Sequence, residues 1–229
     1  RDNTRSNYDA CLKLAAGQFL IKHAGEYSVC SGYSWDYESL RESFIALPGL
    51  TLYNDGDAER FEKVIDSTIK RHRDAMLCES DCPDSGLWFI RAIQQYVDYG
   101  ADASAVWKKY GKWLVDIIES FLGNCRPSVH LHENGLLWAQ KYGVALTWMN
   151  TYVDGSPVSE RPGYQVEVNA LWYNALCFVR DLDLKFGKGK LVQRTDSIIG
   201  KIRENYTKVF WCEERNHLAD YVDEHGQNI

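Results

Sequence analysis

A carboxylate inside an otherwise apolar stretch needs a chemical reason, and Glu167 sits in such a stretch. The 14 residues from Val166 to Val179 (VEVNALWYNALCFV) contain three polar side chains, Glu167, Asn169 and Asn174. Two readings are open for Glu167. It caps a helix start, where an acid gains about 0.3–1 kcal/mol from the backbone dipole, or it faces a pocket and binds hydroxyls or takes part in acid/base chemistry. Splitting a glycosidic bond calls for two carboxyl groups, one to protonate the departing oxygen and one to attack or to activate water. Residues 140–170 offer Asp154, Glu160 and Glu167, and other connections add Asp36, Glu38, Glu42 and Asp84. Residue type alone chooses no pair among them, since a solvated surface acid is the ordinary case. His130, His132 and Tyr164 form a different acid/base set, of the kind a lyase or epimerase uses, against the plain reading of solvated loop histidines.

Aromatic residues make up 13% of the 229 residues, with eight Trp. Several of the Trp stand in Gly-rich and polar connections, as suits flat sugar rings stacking on apolar faces. Trp35, Trp88, Trp148 and Trp172 are the candidate platform, with Arg41, Arg161 and Asn169 as donors to hydroxyls; core packing is the competing reading for each. Trp107 and Trp113 fall on a buried helical stripe. The formal charge of −6 argues against a nucleic-acid partner, which needs a basic surface. No apolar run reaches the roughly 20 residues of a membrane span. Seven Cys at irregular spacing read as reduced thiols of a cytoplasmic protein. Cys78 and Cys82 with His130 and His132 could make a zinc site only at non-standard spacing, so no metal or cofactor is expected.

These residues must be positioned by helices of two kinds. Residues 57–74 and 103–122 are apolar on one side only, as are 191–207, and predict surface helices. Residues 43–52, 86–97 and 166–179 are apolar nearly all round and predict buried ones. Short polar turns at 54–57, 99–102 and 186–189 lead from buried to surface helices. The returns, 24–38, 75–85 and 123–164, are long, the last with strand-like pieces at 128–132 and 136–139. Connections beyond about 12–15 residues are usually functional. In an up-down helical array these long returns meet at one end, with Trp35, Asp84, Trp138, Trp148, Arg161 and Glu167.

The stretch Leu146–Leu176 (LTWMNTYVDGSPVSERPGYQVEVNALWYNAL) resembles the amylo-α-1,6-glucosidase domain of glycogen-debranching enzymes. That family shows Leu-Thr-Trp-Met-Asp, then Pro-Val and an Arg, then Val-Glu-Ile-Asn-Ala-Leu-Trp-Tyr-Asn. Further similarity runs in order through Gly32-Tyr33-x-Trp35, Arg41-Glu42-Ser43, Ala46–Leu52, Asp84-Ser85-x-Leu87-Trp88-Phe89 and Gly135–Trp138. The resemblance implies an all-α (α/α)6 toroid of helical hairpins, here incomplete with about seven to eight helices and small β pieces at one end. It implies one partial domain over 1–229, acting on α-1,6-linked glucose at glycogen branch points with inversion and without a metal.

Three departures bear on activity. Ser39-Leu40-Arg41-Glu42-Ser43 replaces the family's Trp-Gly-Arg-Asp-Thr, which reshapes a sugar subsite around Arg41 and Glu42. Asn150 replaces the Asp to which the resemblance assigns the role of general acid, and an amide gives up no proton at neutral pH. The chain stops at Ile229, before the segment that the resemblance assigns the general base. The expectation is therefore a glucosidase by lineage that is inactive as this chain, with a non-catalytic glucan-binding module of the same fold as the alternative. Exposed apolar flanks of an incomplete ring predict self-association.

Overall fold

The computed structural model describes residues 7–32, 38–77, 82 and 84–226. Among them eight α-helices run in order: α1 (Tyr8–Gln18), α2 (Leu40–Pro48), α3 (Ala58–Arg71), α4 (Arg73–Leu77), α5 (Ser85–Asp98), α6 (Ala103–Leu122), α7 (Val166–Phe186) and α8 (Val192–Phe210). The strands are pieces of two to four residues, paired two by two. This is the all-α, helical-hairpin class with small β pieces that the sequence leads one to expect. The chain forms two compact units, Arg1–Arg73 with Ala92–Ala101, and Asp74–Arg91 with Asp102–Ile229.

In the first unit Asn7 caps α1 by accepting the N–H groups of Asp9 and Ala10 at 3.1 and 3.3 Å, yet α1 buries no residue. A hairpin not foreseen in the sequence follows, β1 (Leu20–His23) against β2 (Glu26–Val29). Its two-residue turn, Ala24-Gly25, has φ of 49° and 85°, the twist that tight hairpins prefer. The expected helix 43–52 begins earlier and changes character. α2 ends at Pro48, and Gly49–Tyr53 is a π-helical turn, because proline supplies no N–H to the ladder and the next turn widens. α3 buries Phe61, Val64, Ile65 and Thr68 and packs on β2. Glu38 fastens the end of α3, accepting from Arg71 Nη2 at 2.6 Å and meeting His72 Nε2 at 3.1 Å.

The second unit is built on α6, α7 and α8, with α7 packed against both neighbours. α6 spans the sequence expectation and buries Tyr110, Leu114, Ile117, Ile118 and Phe121. α7 runs seven residues past the expected end and buries one face, Val168, Asn169, Trp172, Ala175, Leu176, Val179 and Leu182. Leu184 and Ala170 are exposed, so α7 is less enclosed than its apolar composition implies. Between α6 and α7 lie β3 (Val129–Leu131) paired with β4 (Leu137–Ala139), β5 (Tyr152–Val153) paired with β6 (Ser156–Pro157), and β7 (Tyr164–Gln165). After α8 come β8 (Trp211–Cys212), β9 (His217–Leu218) and β10 (Tyr221–Val222), and β10 pairs antiparallel with β7.

Candidate functional site

The turn into α7 carries the densest set of charged contacts near the family-like stretch. Gly163 makes it possible. Its φ is 128° and a Cβ there would overlap the Val222 carbonyl, so only glycine lets β10 lie against the start of α7. That pairing brings Asp220 to Arg161. Arg161 is fully buried at its side chain, with φ 51°, a left-handed backbone that costs a non-glycine residue roughly 1–2 kcal/mol.

The guanidinium repays that strain with a complete set of bonds. Nη1 donates to Glu167 Oε1 at 2.7 Å and to Thr147 Oγ1 at 2.6 Å, and Nη2 donates to Glu167 Oε2 at 2.9 Å. Nε and Nη2 donate to the two carboxylate oxygens of Asp220, each at 2.7 Å. All five N–H groups are thus used inside the protein. Burial pulls the Arg161 pKa down, but the hydrogen bonds and charges of Glu167 and Asp220 outweigh it and hold it above the ordinary value. The Trp148 and Tyr221 rings lie 6.0 and 5.9 Å from the guanidinium carbon.

Around the buried guanidinium, two acidic side chains and an aromatic ring keep some exposure. Glu167 is 26% and Asp220 41% exposed at the side chain, and Trp148 is 54% exposed. Both oxygens of Glu167 accept N–H groups of Arg161, as acceptors that also suit sugar hydroxyls. Asn150 is exposed two residues beyond Trp148, its amide N–H donating to the Trp148 carbonyl at 3.0 Å. Thr147, Trp148 and Asn150 therefore share one short segment, anchored to the charged cluster through Thr147.

Several residues read as sugar contacts hold the fold instead. Arg161 has no donor left for a ligand. Asn169 is buried; its Oδ1 accepts the Leu137 N–H at 2.7 Å and its Nδ2 donates to the Leu137 and Gln165 carbonyls, each at 3.0 Å. Trp172 is fully buried, its indole N–H on the Gly135 carbonyl at 3.2 Å and its ring 5.3 Å from Phe121. Asp84 is buried just before α5, where its carbonyl accepts the Trp88 N–H at 2.9 Å, and Trp88 is half-buried. Arg41 and Glu42 belong to the first unit. Arg41 is buried with its Nη1 3.9 Å from Glu42 Oε1, and Glu42 accepts the Ser39 hydroxyl at the start of α2. Trp35 and Cys78 lie outside the described residues.

Asp220 is the residue that sequence reasoning missed. It lies 59 residues from Arg161, and no sequence spacing ties the two together. No curated protein sequence matches the chain. The family profile described as amylo-alpha-1,6-glucosidase matches residues 14–228, a range that contains the Thr147–Asn150 segment, Arg161, Glu167 and Asp220. On that match the chain belongs to the amylo-α-1,6-glucosidase family.

Proposed function

We propose that the chain is the glucan-holding part of a debranching glucosidase that removes α-1,6-linked glucose from glycogen or a similar branched α-glucan with inversion, and that by itself it binds glucan without turning it over. The observation that carries this is the exposed Trp148 together with the partly exposed side chains of Glu167 and Asp220, all three grouped around Arg161. A sugar ring stacks on the indole while its hydroxyls donate to the carboxylates. The absence of turnover rests on two residues. Asn150 stands where the family's acid is expected, and Glu167 is committed to Arg161. Losing a general acid costs about 10²–10⁴-fold in rate.

A non-catalytic glucan-binding module is the second reading, favoured by Asn150 itself. The two separate in one experiment: limit-dextrin binding by calorimetry and glucose release by a coupled assay, on the wild type, Trp148→Ala and Asn150→Asp. Expected are binding without release for the wild type and about tenfold weaker binding for Trp148→Ala. Glucose release by Asn150→Asp assigns the glucosidase, and binding by all three without release favours the module. Failure of the wild type to bind limit dextrin sinks both. Free thiols at Cys125, Cys177 and Cys212 support a reducing, cytoplasmic setting, and the exposed Leu12 and Leu14 of α1 support self-association.

A further inference from the structure

We propose that His132, Trp138 and Tyr164, with Lys208, Asp223 and Glu224 at the rim, form a second carbohydrate site that takes one neutral hexose unit of an α-glucan. This rests on the glucan reading above but uses none of the same side chains.

Strand alternation assembles the face. Side chains two apart on a strand share a side, so His130 and His132 of the β3 segment lie with Trp138 of β4, whose register partner is His130. The bridge between Ala139 and Gly163 then sets the next residue, Tyr164, beside Trp138. The His132 ring stacks on Trp138 with centroids 5.6 Å apart and planes 10° from parallel. Tyr164 stands across both, 88° to each plane, at 5.0 Å from Trp138 and 5.5 Å from His132. The Tyr164 hydroxyl is fixed by His132 Nδ1 at 2.7 Å and Asn134 Nδ2 at 3.3 Å. These rings wall a cavity of about 500 Å³, open to solvent, whose other lining includes Lys208, Asp223 and Glu224. That is the size range of small-molecule sites, roughly 300–1,000 Å³.

The lining carries charges of both signs, Lys208 against Asp223 and Glu224, so neither an anion nor a cation meets complementary charge alone. A neutral polyol uses the ammonium as donor, the carboxylates as acceptors and the rings as an apolar floor. The wall itself is uncharged near neutral pH. Burial pushes the Tyr164 hydroxyl up, with the Asn134 bond pulling it part of the way back. Burial and then the charge of His130 push His132 down.

The test is titration of the 229-residue chain with maltotriose, in parallel with inorganic phosphate and tetramethylammonium, for the wild type, Trp138→Ala, Tyr164→Phe and Trp148→Ala. Tyr164→Phe keeps the ring and serves if Trp138→Ala fails to fold. Expected are a Kd about tenfold higher for Trp138→Ala and about threefold higher for Tyr164→Phe, with phosphate and tetramethylammonium not bound. Unchanged affinity in both pocket variants, with loss in Trp148→Ala, overturns this site and leaves the glucan reading standing. Phosphate or tetramethylammonium bound with the same variant sensitivity overturns the neutral-ligand assignment. No saturable maltotriose binding overturns the site, and the glucan reading falls with it only if limit dextrin is also ignored.

Discussion

Arg161 shows how a single buried side chain decides what its neighbours can do. Its fork is filled on one side by Glu167 and on the other by Asp220, so replacing it leaves two carboxylates facing each other without a cation. Arg161→Met is expected to lower stability by about 3 kcal/mol, the low end for breaking a buried pair because both acids keep some solvent. A urea midpoint unchanged from the wild type would refute this. Arg161→Lys should recover only part of the loss, since an ammonium cannot bond two carboxylates bidentately. The importance of Arg161 and Glu167 was legible in the sequence, but their roles were not. The reading of Arg161 as a sugar donor failed because its second partner lies 59 residues on, beyond any helical or strand periodicity. His132 gives a second residue-scale expectation. Its folded pKa lies below the ordinary imidazole value of about 6.5, so the unfolded chain takes up the proton first. The neutral ring's contribution to stability is present above about pH 6.5 and lost as pH falls through and below that value. Imidazole NMR should show a midpoint under 6.5 that rises in His130→Gln; a midpoint at or above 6.5 contradicts the burial argument.

Helix α7 is positioned by polar bonds as much as by apolar packing. Asn169 clamps it to β4 with two hydrogen bonds to Leu137 and makes a third to the Gln165 carbonyl, and Asn169→Leu strands the Leu137 N–H and C=O in the interior. The expected cost is about 2–4 kcal/mol, read as a drop in the thermal midpoint with the helical circular dichroism retained below it. At the other end of the same strand system, Gly163→Ala should separate β7 from β10, because the added Cβ overlaps Val222. Amide exchange at Val166, whose N–H donates to the Asp220 carbonyl at 3.1 Å, is expected to speed up. The long helices were legible because their apolar residues recur with helical period; α6 begins and ends where that period does. α1 was not, since none of its residues is buried and no stripe marks it. Strands of two residues, such as β7 and β10, are too short for alternation to register, yet they assemble the site. The buried roles of Asn169 and Trp172 were misread for a related reason: a polar or amphipathic side chain on an apolar helix reads as outward-facing until its backbone partner is placed.

At the scale of the molecule, the chain divides into two compact units, and helix α5 passes from one to the other between Arg91 and Ala92. The first unit carries α1 with Leu12 and Leu14 exposed, apolar surface of the kind that draws partners. Sedimentation velocity is expected to show concentration-dependent association that Leu12→Glu with Leu14→Glu abolishes; a monomer at all concentrations would count against it. The link from Arg161 to Asp220 has a temporal side as well. A ribosome adding about 5–20 residues per second needs roughly 3–12 s to make the intervening 59 residues. For the part of that interval after Phe186 is added, all of α7 has been made while Arg161 still lacks the second acid. Changes in the Trp211–Val222 hairpin region should therefore lower the yield of native protein made in cells more than they lower the affinity of the molecules that finish folding.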